Sequence, residues 1–168
     1  MIILENKFEH FVNNKETLEE TVISNSLKDT IELGLSIGKN ISKENIILLS
    51  GDLGSGKTEL VRSIVKGSGS DGFVRSPTFV LINNYDGPVK ITHCDFYRMQ
   101  EGLEDEEIGI EEYFDETATL IEWPERIAKG LPSDCVIIKI YFTKTENQRK
   151  FLLYSSGKKS KKFIKGLE

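Results

Sequence analysis

A short apolar run, followed by a glycine-rich loop and an amphipathic helix, is the feature that most constrains how this chain can fold. Residues 45–50 read NIILLS, and the next eight residues read GDLGSGKT. Gly51, Gly56, Lys57 and Thr58 match the pattern G-x-x-x-x-G-K-[ST], which is typical of a phosphate-binding loop between a strand and a helix. The flanking strand and helix patterns make a solvated glycine-rich turn the weaker interpretation. We therefore predict a phosphate site at this loop.

The residue types of the loop fit a nucleotide bound together with Mg²⁺. Glycines let main-chain N–H groups converge on phosphate oxygens, and the following helix adds the positive end of its dipole. We expect Lys57 to reach the β- and γ-phosphates and the Thr58 hydroxyl to ligate Mg²⁺. The N-K-x-D element that guanine selectivity requires does not follow the loop, so ATP is the favoured ligand. Kinases, switches and ATPases all share such a loop, and the rest of the site must separate them.

Strand and helix patterns along the chain predict an α/β fold. Residues 26–41 carry apolar side chains at helical spacing, and segments 78–85 and 89–97 flank an Asp-Gly pair that favours a tight reversal between strands. ATLIEW predicts another buried strand, while CVIIKIYF and KFLLY predict strands near the C-terminal end. We predict a P-loop NTPase-like three-layer fold with a central mixed sheet and antiparallel C-terminal strands.

Composition suggests one cytoplasmic domain. The chain has 168 residues and no long linker or internal repeat, so we expect residues 1–168 to form a single domain. Cys94 and Cys135 lie far apart within apolar stretches, which predicts buried, reduced thiols. No apolar run has the 18 or more residues of a membrane span, and the first residues lack a signal-peptide pattern. We expect a cytoplasmic protein with no membrane partner.

The net charge of −5 conceals two segments of opposite charge. Residues 101–116 contain nine acidic residues and no basic ones, whereas lysines and arginines dominate residues 144–168. The acidic segment is either a solvated helix or a docking face for a basic partner, and its interspersed apolar residues favour docking. The basic end is either a solvated surface or a contact for nucleic-acid phosphates; its few aromatic residues favour the solvated interpretation.

Two carboxylates are candidates for the remainder of the nucleotide site. Asp95 ends the apolar strand in THCDFYR, and period-two alternation places it on the same face as His93. Glu122 follows the apolar residues of LIEWPE, where a carboxylate is costly unless it meets a metal or a donor. The alternatives are an edge strand with a solvated polar face for Asp95 and a helix-start carboxylate for Glu122. Arg98 is placed to neutralise charge on a γ-phosphate.

Four motifs in this order, GDLGSGKTEL, SPTF, HCDFYR and IEWPE, resemble those of the TsaE (YjeE) family of small bacterial P-loop ATPases. The resemblance covers about residues 24–142. It leaves residues 1–20 as an N-terminal extension and residues 144–168 as a basic C-terminal end. It implies a P-loop α/β sheet with helices on its faces.

The resemblance also implies a function. TsaE proteins support threonylcarbamoyl modification of adenosine 37 in tRNAs that read codons beginning with A, and they act with the TsaB–TsaD pair. By this resemblance the chain is a Mg²⁺-dependent ATPase of low intrinsic activity that depends on its partners and reaches tRNA directly or through the complex. The free chain is expected to be a monomer or a weak oligomer.

Site residues follow from matching positions in these motifs. The resemblance implies catalytic roles for Lys57, Asp95 and Glu122, with Mg²⁺ held by Thr58, Glu122 and Asp95. Cofactor contacts are predicted at the following positions: Asp52, Leu53, Gly54, Ser55, Gly56, Lys57, Thr58 and Glu59 in the loop, Ser26 and Thr30 beside the base, and Thr78 in a switch-like segment. Two other functions stay open: a small-molecule kinase, and a nucleotide-gated binding switch without significant turnover.

Overall fold

Seven strands form one mixed sheet in the computed structural model, which describes residues 16–70, 72, 74, 81–99, 109–127 and 131–167. The order across the sheet is β1-β7-β6-β2-β5-β4-β3. Strands β6, β2, β5 and β4 run parallel, β3 is antiparallel at one edge, and β7 pairs antiparallel with both β6 and β1 at the other. The predicted mixed sheet with antiparallel C-terminal strands is confirmed. The strand bounds are β1 Thr17–Ser24, β2 Ile46–Gly51, β3 Ile82–Tyr85, β4 Ile91–Asp95, β5 Ala118–Glu122, β6 Val136–Phe142 and β7 Arg149–Ser155.

The central strands are buried on both faces, which explains their continuous apolar sequences. Side chains of β2 that point one way, such as Leu49, join a core beneath the α-helices, while Leu48 joins a second core on the opposite face. Strand β4 lies between β3 and β5 and is buried along its whole length. The alternative of a solvated edge strand around Asp95 is therefore wrong.

Three α-helices occur among the described residues: α1 (Leu27–Asn40), α2 (Lys57–Gly67) and α3 (Lys158–Lys165). Residues from all three contribute to the core on one face of the sheet. On the other face, the core is closed in the described part of the chain by 3₁₀ turns at Ile110–Tyr113 and Pro124–Ile127 together with loop residues. The third layer thus contains 3₁₀ turns where helices had been expected.

Helix α1 packs against α2 at very close range. A Cβ added at Gly34 would lie 3.0 Å from the carbonyl oxygen of Leu60, and one at Gly38 would lie 2.8 Å from the Cα of Gly67. Only glycine permits such an approach of two helix backbones. Ser26 caps the start of α1, because its Oγ accepts a hydrogen bond from the Asp29 amide at 3.2 Å.

Two elements lie where the sequence patterns predicted none: β1, which includes part of the expected N-terminal extension, and α3 in the basic end. Asp134 explains the start of α3, since its carboxylate accepts hydrogen bonds at 2.9 Å from the amides of Lys159 and Ser160. Partial burial raises the pKa of Asp134, but these hydrogen bonds outweigh that effect and lower it overall. The cap comes from a distant residue, so a local pattern could not reveal it.

Both cysteines are buried, as predicted. Burial raises the pKa of the Cys94 thiol to about 12 and that of Cys135 to about 11, so neither forms a thiolate readily. Among the residues that the structure describes, no helix is long and apolar enough to cross a membrane.

Candidate active site

The glycine-rich loop joins β2 to α2 and adopts a backbone that its glycines make possible. Gly54 and Gly56 have φ values of +78° and +110°, which side-chain-bearing residues rarely adopt. Gly51 leaves no room for a side chain, since an added Cβ would lie 2.6 Å from the carbonyl oxygen of Ile140 on neighbouring β6. The loop therefore delivers the first turn of α2 at the carboxyl end of a central parallel strand, where ligands bind in α/β sheets.

Lys57 lies in the first turn of α2 and folds back over the loop. Its ammonium donates to the carbonyl oxygens of Gly51 at 2.6 Å and Asp52 at 3.0 Å, and it lies 4.0 Å from the ring centroid of Trp123. Burial lowers the pKa of Lys57, while the charge of Glu122, the strongest of its carboxylate neighbours, raises it in part. The side chain is thus a largely desolvated donor directly beside the loop amides.

Thr58 and Glu122 connect the loop to the end of β5. The Thr58 hydroxyl donates to Glu122 Oε2 at 3.0 Å, and only 2% of Glu122 is exposed. Asp95 is the register partner of Glu122 in the parallel β4–β5 pair, so the two carboxylates end neighbouring strands. Asp95 is also buried, and its Oδ1 accepts a hydrogen bond from the Tyr97 amide at 3.0 Å. The structure therefore brings together the three residues predicted as metal ligands.

This donor set fits Mg²⁺. Hydroxyl and carboxylate oxygens are the ligands that Mg²⁺ prefers, and a nucleotide site supplies the rest from phosphates and water. Within the described ranges, no group of three or more His, Cys, Asp or Glu side chains forms a ready metal site.

A cleft of about 380 Å³ opens over these groups. Beyond the loop, Asp95 and Glu122, its lining includes Tyr97, Arg98 and Trp123. The predicted residues Leu53, Gly54, Gly56, Lys57, Thr58 and Glu59 all line it. Asp52 contributes its main-chain carbonyl to Lys57, and the side chain of Ser55 is turned into the protein with 1% of the residue exposed.

A second cleft of about 520 Å³ lies on the other side of the loop. Ser26 and Thr30, which were predicted to contact the base, both line it. The opposite wall comes from the β6–β7 turn, through Asn147 and Arg149. Arg149 Nε donates to the carbonyl oxygen of Ser55 at 3.3 Å, and its guanidinium lies 4.4 Å from the ring centroid of Phe142.

The sequence patterns missed three residues that belong to this region. Arg149 follows the last predicted site motif by more than 20 positions, so only the β6–β7 pairing brings it to the loop. His93 lies within the HCDFYR motif. The strand alternation placed it on the same face as Asp95 but predicted no residue that it would contact. Trp123 packs partly against the second core and also lines the first cleft, and its position directly after Glu122 was the available signal.

Two predictions concern residues that lie outside the described part of the chain. Thr78 belongs to residues 75–80, and the first half of the acidic segment, residues 101–108, is likewise outside the described ranges. Their roles stay predictions.

In the basic end, Lys159 pairs with Glu44 at 3.8 Å and Lys161 with Glu19 at 3.4 Å.

A glycine loop between a parallel strand and a helix, with a carboxylate on the adjoining strand, defines a P-loop NTPase-like α/β protein. The family model described as "Threonylcarbamoyl adenosine biosynthesis protein TsaE" matches residues 24–151. The chain belongs to the TsaE family.

Known relatives support this assignment over most of the chain. The tRNA threonylcarbamoyladenosine biosynthesis protein TsaE of Rickettsia bellii is 37% identical over 127 residues, which cover 74% of this chain and 88% of the relative. The protein of the same name from Treponema pallidum is 34% identical over 119 residues, covering 70% and 88%. The crystal structure of Bacillus subtilis YdiB has a TM-score of 0.75 at 24% identity and covers 90% of this chain and 95% of that one, which supports the fold.

Proposed function

We propose that this chain binds ATP with Mg²⁺ and hydrolyses it slowly, as an accessory protein in the threonylcarbamoyl modification of adenosine 37 in tRNAs that read codons beginning with A. The observation that carries the proposal is the 3.0 Å hydrogen bond between Thr58 and Glu122, which joins the phosphate loop to a carboxylate on the next strand. Membership of the TsaE family supports the pathway.

Each predicted catalytic residue has a distinct task in this proposal. Lys57 exchanges its two loop carbonyls for β- and γ-phosphate oxygens, and its partial desolvation strengthens that contact. Mg²⁺, when bound through Thr58 and Glu122, neutralises charge on the phosphate oxygens. Asp95 orients the attacking water, and Arg98 lines the same cleft beside it.

The nucleoside lies in the second cleft in this proposal. The wall that contains Ser26 and Thr30 faces the wall that contains Asn147 and Arg149, and the loop between them holds the phosphates. Gln148 Nε2 donates to Asn25 Oδ1 at 2.8 Å and so connects the two walls. The cleft volume of about 520 Å³ is within the usual range for a small-molecule site.

TsaB and TsaD are the proposed partners, and the proposal places the protein in the cytoplasm as a single domain. In this proposal the cleft of the free chain is open to solvent, and the partner proteins complete it. The free chain therefore hydrolyses ATP slowly. Tyr97, which is 37% exposed at the rim of the cleft over Asp95, illustrates how open that side is.

Phosphate release from ATP by the purified chain, alone and with a TsaB–TsaD pair, tests this function. We expect the pair to stimulate release strongly in a Mg²⁺-dependent manner and the effect to be lost in Glu122→Ala. Glu20→Ala, which removes an exposed carboxylate on β1, is the matched control and should behave as the original chain.

Two outcomes would contradict the proposal. Transfer of the γ-phosphate to a small molecule would identify a kinase, and ATP binding without turnover under any partner condition would identify a passive switch.

A further inference from the structure

His93 is a fully buried polar group next to the proposed metal ligands. None of its surface is exposed, and it lies on β4 two residues before Asp95, on the strand face that Asp95 shares. Its Nε2 is 2.9 Å from Glu122 Oε1, and its ring stacks on Tyr85 at a centroid distance of 6.5 Å. The ring is therefore fixed by packing on one side and by a carboxylate on the other.

Glu122 is held by different partners at its two oxygens. Oε1 meets the imidazole of His93, and Oε2 accepts from the Thr58 hydroxyl. A carboxylate bonded at one oxygen only could rotate about its last side-chain torsion, which is broad for glutamate. With Oε1 bonded to a buried ring, Oε2 stays directed at the loop.

The hydrogen-bond pattern also indicates which ring nitrogen carries the proton. Nδ1 is buried and has no hydrogen-bond partner within the described residues. A proton on Nε2 gives Glu122 a donor and leaves Nδ1 as a bare lone pair, whereas a proton on Nδ1 would leave a buried donor unpaired. The neutral Nε2–H tautomer is consistent with both observations.

We propose that His93 is a positioning residue that orients Glu122 for Mg²⁺ and thereby sets the metal affinity of the site. This inference rests on the proposed function, because it assumes that Glu122 is a metal ligand. Hydrogen-bonding partners of metal-ligating groups typically change metal affinity by about 10- to 100-fold when they are removed. His93 itself touches neither nucleotide nor metal in this proposal.

A pair of variants that differ by one methylene group tests the inference. His93→Gln places an amide N–H at about the distance of Nε2 from the backbone, whereas the shorter side chain of His93→Asn cannot reach Glu122. The measured quantity is the Mg²⁺ concentration that half-saturates the chain in the presence of a non-hydrolysable ATP analogue, determined by calorimetry. We expect His93→Asn to raise this concentration about 10- to 100-fold and His93→Gln to restore it to within about threefold of the original value.

Two controls separate this role from a structural one. Thr92→Val removes a buried hydroxyl of the same strand that bonds to Asn84 and Thr117, so it perturbs the fold but not Glu122. It should leave the Mg²⁺ requirement unchanged. Affinity for the analogue in EDTA should also be unchanged in the His93 variants, because the loop contacts persist. If His93→Asn does not fold, His93→Leu replaces it as the variant without a donor.

Glu122→Gln, measured in parallel, separates failure of the inference from failure of the proposed function. If Glu122→Gln raises the Mg²⁺ requirement and the variants without a donor at position 93 do not, the positioning role of His93 is overturned and the metal assignment stands. If Glu122→Gln leaves the requirement unchanged, both are overturned.

Discussion

Trp123 adopts a left-handed backbone conformation, with φ of +58°, directly after the carboxylate of Glu122. Such a conformation is uncommon for a bulky residue and costs of the order of 1 kcal/mol or more. It turns the indole over the ammonium of Lys57, at 4.0 Å, and against Tyr97, at a centroid distance of 5.0 Å. A cation–π contact between desolvated groups offsets part of this cost.

This contact makes Trp123, the only tryptophan of the chain, an intrinsic reporter of Lys57. We expect Trp123 fluorescence to change when ATP binds, because Lys57 leaves its position over the ring for the phosphates. Lys57→Met should alter the emission of the free protein and remove the response. Lys66→Met, on the exposed side of the same helix, is the matched control. An unchanged emission at ATP concentrations that calorimetry shows to be saturating would contradict the prediction.

At the scale of elements, the α1–α2 pair determines how the two sides of the proposed nucleotide site meet. Helix α2 begins at the end of the glycine-rich loop, and α1 begins at Leu27, directly after Ser26, beside the second cleft. Gly34 and Gly38 bring the two helices into backbone contact, so the distance between the cleft wall and the loop depends on residues far from either.

Gly38→Ala tests that dependence. Alanine favours a helix over glycine by roughly 1 kcal/mol, but its Cβ would collide with the Ile64 carbonyl group, and overpacking costs about 1 to 3 kcal/mol. We expect urea denaturation to show a lower free energy of unfolding for Gly38→Ala. The control is Lys39→Ala at the exposed residue that follows, which should change the free energy of unfolding by less than about 0.5 kcal/mol. A Gly38→Ala chain that is more stable than the original would show that the helices can separate at no cost.

At the scale of the whole molecule, the second cleft is assembled from segments that are far apart in the chain. The β1–α1 junction, the phosphate loop and the β6–β7 turn converge there, and the antiparallel pairing of β7 with both β1 and β6 holds them together. Arg149 is the clearest example, because its backbone begins β7 while its side chain reaches the loop at Ser55.

The role of Arg149 can be separated from that of the loop by comparing two ligands. We expect Arg149→Ala to weaken ATP binding about 10-fold or more, the equivalent of about 1.4 kcal/mol, and to affect Mg²⁺-tripolyphosphate much less, because the latter has no nucleoside. Lys150→Ala, on the opposite face of β7, should affect neither ligand. Equal losses for both ligands would assign Arg149 to the phosphate loop alone.

The sequence predicted those parts of the site that lie within short local patterns. GDLGSGKT specifies a loop because glycine backbone freedom and the following helix are local properties. Continuous apolar runs likewise predict the central strands. HCDFYR and IEWPE likewise placed Asp95 and Glu122 at the ends of strands. The hydrogen bond between Thr58 and Glu122 joins residues 64 positions apart, and no local pattern predicted that the two side chains meet.

The sequence alone thus determined the glycine-rich loop, the individual central strands and the two carboxylates at strand ends, because each depends on neighbours within a few residues. The tertiary structure alone decided the contact of His93 with Glu122, the place of Arg149 beside the loop, and strand β1 and helix α3. Each of these depends on strand register or on a cap supplied from elsewhere in the chain. Such contacts are set by the packing of the whole sheet, which no local pattern records.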